Sequence, residues 1–180
     1  MIRGNKIYLC AIEKEDLPEL MKWRNEESFR KHFREYREIN KTMQEKWYNE
    51  KVINDCNTIM FSVKSCLDDE LLGCCGLCYI NWINRNADLS LYIGWNEEYI
   101  DDIGYAKEAC ELLLYYGFNQ LGLNKIWTEI YEFDIKKKKL YDKLGLNVDG
   151  VLRENCFYDG KWWNSYILSI LRDEFLSKKG

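Results

Sequence analysis

The stretch "YIDDIGYAKEACELLLYYGFNQLG", residues 99–122, decides how the chain is read. Ala106, Ala109, Cys110, Leu113, Gly117 and Leu121 recur at helical spacing, which predicts a helix with one buried face over about 104–121. Gly122 ends it, because glycine accepts the left-handed backbone just past a helix terminus. Gly104 and Ala106 keep the opening turn small. Free backbone amides at a helix start are where proteins hold anions. Yet two carboxylates, Asp101 and Asp102, stand immediately before this start. What the turn is for depends on the elements around it.

Upstream, "TIMFSVKS" (58–65), "LLGCCGLCYINWI" (71–83) and "ADLSLYIGW" (87–95) are rich in aromatic and β-branched residues and separated by turn signals. They predict an antiparallel meander. Before them come a strand over 6–12 and a helix carrying Leu17, Leu20, Met21 and Arg24 at helical spacing, with Asp16 as cap before Pro18. A second amphipathic helix covers 42–55. Downstream, "NKIWTEIY" (124–131) reads as a short buried strand. "DIKKKKLYDKLG" (134–145) reads as a helix capped by Asp134 and stopped by Gly145. An Asp-Gly turn joins strands at 151–158 and 163–171. The order predicts an α/β (α+β) fold, a mixed and mostly antiparallel sheet flanked by helices. One proline and no Gly/Ser-rich linker leave no internal boundary, so a single domain over 1–180 is expected.

Composition narrows the function classes. A chain of 180 residues that is 47% hydrophobic and 15% aromatic supports a packed core. No apolar run approaches the roughly 20 residues of a membrane span, and no signal-peptide pattern opens the chain. A soluble, cytoplasmic protein is expected, without a membrane partner. The net charge of −4 disfavours nucleic acid and mildly favours a cationic small molecule. "KKKK" (136–139) does not reverse this, since four consecutive helical lysines point in four directions. Among eight cysteines, Cys75 and Cys78 form a C-x-x-C, but the sole histidine, His32, is remote in sequence. No metal site is expected. Cys10, Cys110 and Cys156 lie in apolar stretches and read as buried, reduced thiols.

Two segments carry a family resemblance: "IGWNEEYIDDIGYAKEACELLLYYGFNQLGLNKIWTEIY" and "DIKKKKLYDKLGLNVDGVLRENCFYDGKWWNSYILSIL". Together they resemble the GNAT N-acetyltransferases, in the branch containing RimJ, RimL and the spermidine acetyltransferases. The likeness runs back through "INWINRNADLSLYIG" to "EKEDLPELMKWRN". It implies that acetyl-coenzyme A, as co-substrate, lies where two central strands splay apart, with its pyrophosphate on the turn opening the following helix. The family pattern there, Arg/Gln-x-x-Gly-x-Gly/Ala, falls on Asp101, Asp102, Ile103, Gly104, Tyr105 and Ala106, so an acid stands where the family has a cation or amide. A carboxylate about 8 Å from a phosphate costs about 1 kcal/mol at intermediate dielectric. Hydrogen bonds from backbone N–H groups to the charged phosphate contribute about 1.5–3 kcal/mol each. Weakened but retained coenzyme binding is therefore expected, with the acids turned outward and Lys107 following on the helix.

The second family pattern, Asn-x-x-Ala-x-x-x-Tyr-x-Lys-x-Gly-Phe, falls on Asp134, Lys137, Tyr141, Lys143, Gly145 and Leu146. The resemblance implies that Asp134 touches the pantetheine arm and that Tyr141 is the acid for the departing thiolate. Lys137 stands where the family has a small residue, and Lys136 is expected near the phosphates. Asp88, at the place of a frequent family glutamate, is the expected base, acting through water. A backbone amide of Tyr92, Ile93 or Gly94 would meet the oxyanion. The acceptor pocket is expected from Trp23, Arg24, Asn25, Trp163 and Asn164. The implied reaction is direct attack by a primary amine: a protein N-terminus, a polyamine or an amino sugar. The alternative is a non-catalytic acyl-coenzyme A sensor with a degraded phosphate motif. A homodimer through the aromatic-rich strands is also expected.

Overall fold

In the computed structural model, which describes residues 1–177, the expected meander is present. Strands β1 (Ile2–Arg3), β2 (Ile7–Cys10), β3 (Ile59–Ser65), β4 (Leu71–Asn81) and β5 (Asn86–Ile93) pair in sequence order, each antiparallel to the next. Three helices lie between β2 and β3: α1 (Leu17–Asn25), α2 (Glu27–Arg30) and α3 (Lys41–Trp47), the last widening into a π-helical turn over Tyr48–Ile53. Asp16 does not cap α1 through its side chain. It accepts from the Glu13 N–H (3.1 Å) and the Ser62 hydroxyl (2.7 Å) and pairs with Lys64 (3.1 Å), which ties the turn before α1 to β3.

After β5 come α4 (Tyr105–Tyr115), a π-helical turn over Tyr116–Gln120, β6 (Lys125–Tyr131), α5 (Ile135–Leu144), β7 (Asn147–Tyr158), β8 (Lys161–Leu171) and α6 (Arg172–Ser177). The sheet order is β1-β2-β3-β4-β5-β6-β8-β7. Among the described residues only β5 and β6 are parallel neighbours, as a crossover helix between them requires. The Asp159-Gly160 turn holds both residues at positive φ, the geometry a two-residue hairpin favours. Leu113, Leu114 and Phe118 enter the core with Leu77, Leu91, Ile126 and Ile170, so α4 seals one face of the sheet. The edge strand β7 leaves Val151, Leu152 and Phe157 exposed.

Among the described residues no helix is long and apolar enough to cross a membrane, and no cluster of His, Cys, Asp and Glu could hold a metal. Cys74, Cys75 and Cys110 are buried, but Cys10 and Cys156 are only half-buried and Cys56 is exposed. Burial pushes the Cys74, Cys78 and Cys110 thiols up to about 12, so they stay protonated.

Gly94, just past β5, seats the buried ring of Trp23. A Cβ at this position would lie 1.9 Å from Trp23 Cδ2. Gly94→Ala is expected to cost about 3 kcal/mol by overpacking, a fall of about 6–12 °C in melting temperature. A melt within 2 °C of wild type would contradict this close seating.

Candidate active site

β5 and β6 share only three rungs, Asn86–Lys125, Ala87–Ile126 and Asp88–Trp127. Beyond Asp88 the strands part, and the Thr128 hydroxyl donates to the Leu89 carbonyl (3.0 Å) at the start of the gap. The starts of α4 and α5 meet beside this wedge: the Tyr99 hydroxyl, in the loop before α4, lies 3.4 Å from the Asp134 cap of α5. A cavity of about 340 Å³, lined by Phe29, His32, Tyr99, Phe133, Asp134 and Lys136, reaches this meeting point. A larger cleft of about 630 Å³ lies beside Trp23, Gly94 and Trp95, with Glu19, Glu70 and Glu97 in its wall.

The turn before α4 departs from expectation. Gly104 caps the helix at φ +104, a conformation available cheaply only to glycine. Having no side chain, Gly104 cannot satisfy the helix amides, and Asp101 does so instead. Its buried carboxylate accepts from the N–H groups of Gly104 (2.6 Å), Tyr105 (2.8 Å) and Ala106 (2.7 Å). Asp101 is thus turned inward, not outward, because three charge-assisted bonds outweigh hydration of one carboxylate. Asp102 alone is exposed. A cation that sequence reading missed stands here too: the Lys6 ammonium donates to the Ile103 carbonyl (2.6 Å). Lys136 Nζ reaches the Ile100 carbonyl (3.3 Å) from the other side. Lys107 pairs with Glu111 on the exposed face of α4.

At the last paired rung, Asp88 is buried and meets the Arg34 guanidinium at 3.1 Å; the same guanidinium reaches Glu129 on β6 at 3.4 Å. Burial pushes the Asp88 carboxyl up to about 6 despite the opposing pull of Arg34. Tyr141, on the inner face of α5, is fully buried, and burial drives its phenol well above the ordinary value. The Thr128 hydroxyl is nearby but is committed to Leu89, and no described residue accepts from the Tyr141 hydroxyl.

Asp134 caps α5 by accepting from the Lys137 N–H (3.1 Å), and His32 Nδ1 lies 3.3 Å from its other oxygen. Burial alone would raise the Asp134 carboxyl, but His32 and the Lys137 charge outweigh it and hold the group below its usual range. The His32 ring stacks on Tyr99 at 4.4 Å. The Lys137 ammonium lies 4.9 Å from the same Tyr99 ring, buried, and burial lowers its pKa. His32, Arg34, Tyr99 and Glu129 were absent from the sequence-level site. His32 and Arg34 come from a segment without periodicity, so only long-range contacts place them.

The remaining expected residues divide. The Ile93 N–H is spent on the Tyr99 carbonyl (3.0 Å) and the Gly94 N–H on the Leu72 carbonyl (2.8 Å). Neither is free for an oxyanion, and Tyr92 is ladder-paired opposite Cys74. Trp23 packs edge-on to Tyr92, and Arg24 lies over the Phe33 ring. Asn25 spends its amide on both backbone groups of Ile39 (2.7 and 2.8 Å), so it fixes the loop after α2. Asn164 accepts from the Glu154 N–H (3.0 Å) across the β7–β8 bulge. The Trp163 indole donates to the Tyr158 carbonyl (3.1 Å), and the Lys161 ammonium sits over its ring.

A sheet opened between two parallel strands, with a helix start of convergent amides and a buried phenol beside the opening, has the architecture of a coenzyme A-dependent N-acetyltransferase. The family model for the acetyltransferase (GNAT) domain matches residues 6–147, and the chain belongs to this family. Spermidine N(1)-acetyltransferase of Escherichia coli K12 is 28% identical, over 99% of this chain and 92% of that protein. The crystal structure of spermidine N-acetyltransferase from Vibrio cholerae in complex with CoA and spermine superposes with a TM-score of 0.86. It is 26% identical and covers 95% of this chain and 98% of that one. An uncharacterized N-acetyltransferase, p20, of Bacillus licheniformis is 31% identical, over 59% of this chain and 58% of that protein.

The protein is an N-acetyltransferase with acetyl-coenzyme A as co-substrate. These relatives give the sensor alternative no support. The residues fit the coenzyme in two places. Three convergent amides with Lys6 beside them suit a diphosphate, provided Asp101 turns aside. The Tyr141 hydroxyl, buried without an acceptor, suits a sulfur that gains negative charge.

Proposed function

We propose that the protein acetylates a primary amine of a small polycation, with Asp88 drawing a proton from the amine through water and Tyr141 protonating the leaving sulfur. Acetyl-coenzyme A supplies the acetyl group as an activated thioester. One observation carries the acceptor class. Asp88 and Glu129 face the same point at the mouth of the splayed strands and already hold a cation there, the Arg34 guanidinium. An acceptor ammonium meets the same two carboxylates by displacing Arg34, whose side chain is half exposed. The acidic wall of the 630 Å³ cleft and the net charge of −4 favour the same substrate, as do the spermidine and spermine named for the two relatives above.

An amine of pKa about 10.4 costs roughly 4–5 kcal/mol to deprotonate at pH 7. Asp88, poised at about 6, is basic enough to take that proton and acidic enough to release it. The burial that keeps the Cys74 and Cys110 thiols protonated favours direct attack over an acyl-enzyme.

Thiol release should be measured over spermidine, spermine, an aminoglycoside and a peptide with a free N-terminus. We expect kcat/KM for the polyamines to exceed that for the peptide by at least ten-fold. Turnover confined to the peptide would overturn the acceptor assignment.

A further inference from the structure

In the family pattern the position of Asp101 carries a cation or amide that supports the bound phosphate. Here a carboxylate lies within the cradle. Both its oxygens are engaged, Oδ2 by Gly104 and Tyr105 and Oδ1 by Ala106, so three amides of the α4 terminus are taken by the chain's own anion. Two anions cannot share these donors at hydrogen-bond distance. We propose that Asp101 is an internal competitor for the donor's diphosphate, bound in its place until the coenzyme displaces it; this rests on the donor site assigned above.

Several features allow the exchange. Asp101 precedes Gly104 by three residues, and no described side chain pairs with its carboxylate, so rotation out breaks only the three hydrogen bonds from backbone N–H groups. The space over Gly104 is open, its nearest neighbour being the Lys6 ammonium, 3.6 Å from where a Cβ would lie. Lys6 is anchored by backbone bonds from Asn5 and Lys6 to the Glu108 carboxylate on the first turn of α4. Its ammonium donates to the Ile103 carbonyl, which holds the charge beside the cradle. The free protein gains a satisfied helix end. Donor affinity then becomes the difference between two anions, with the diphosphate favoured by its greater charge and by Lys6.

Calorimetric titration of free coenzyme A into wild type, Asp101→Asn and Asp101→Ala reads the competition without any turnover. The expected result is at least a ten-fold lower Kd in both variants, together with a lower melting temperature of the ligand-free protein. Pantetheine, which has no diphosphate, should show no such gain. An unchanged or higher Kd for coenzyme A in the folded variants overturns the proposal. In the wild type itself, the amide resonances of Gly104, Tyr105 and Ala106 should shift on titration with coenzyme A and saturate at the calorimetric Kd; resonances that stay in place also overturn it. Failure of every amine to react would sink the proposed function and leave these binding results readable.

Discussion

Tyr141→Phe is expected to lower kcat by about a hundred-fold or more, with little change in KM for the acetyl donor. The argument starts from an unsatisfied group. The Tyr141 hydroxyl is fully buried and has no acceptor among the described residues. Such a group costs about 1–3 kcal/mol in the ligand-free protein. In the proposed reaction that cost is recovered only when charge develops on the donor sulfur, so the bond is stronger in the transition state than in the ground state. Interactions of that kind raise kcat rather than affinity. A second readout separates this role from core packing. Removing an unpartnered hydroxyl should leave the ligand-free melting temperature unchanged or slightly raised, whereas removing a bonded one would lower it. A Phe variant that keeps more than a tenth of wild-type kcat would remove Tyr141 from the chemistry.

The places of Tyr141 on α5 and Asp88 on β5 were legible because local rules set those elements, whereas the roles proposed for them came from the family resemblance. The α5 pattern sits between an Asp cap and a Gly stop, and the strand alternation of β5 brings Asp88 to its first rungs. The meander and the Asp-Gly hairpin were legible for the same reason, since propensity and turn chemistry agree; the parallel pairing of β5 with β6 shows only in the structure. Arg34 was not, because its partners Asp88 and Glu129 are 54 and 95 residues away. His32 likewise reaches a residue on α5 from a segment without periodicity. Asp101 was legible as an acid in the wrong place, but its direction was not. Weighed only against a phosphate, the carboxylate belongs outside the turn. The three amides converge on one point, and the nearest anion able to reach it is the carboxylate three residues upstream.

Asp88→Asn is the second large effect: kcat/KM at pH 7.5 is expected to fall by about a hundred-fold. Its pH signature tests the assignment more sharply than its size. Burial holds the folded Asp88 carboxyl at about 6 against the 3.8 of an unperturbed group. Wild-type kcat/KM should therefore rise as pH increases through about 6, as the base ionises, and continue upward as the acceptor amine deprotonates. The variant should lose the lower inflection and keep the upper one. Stability carries the opposite sign. A carboxyl whose folded pKa is raised binds its proton more tightly in the native state, so its contribution is present below about 4 and is lost as pH rises through about 6. The carboxamide introduced by Asp88→Asn cannot ionise, so the melting temperature of the variant should depend less on pH between about 4 and 6 than that of wild type. The Arg34 guanidinium left behind retains Glu129, which keeps it paired. Should the variant retain the inflection near pH 6, the base is another group, and Glu129, across the same guanidinium, is the residue to replace next.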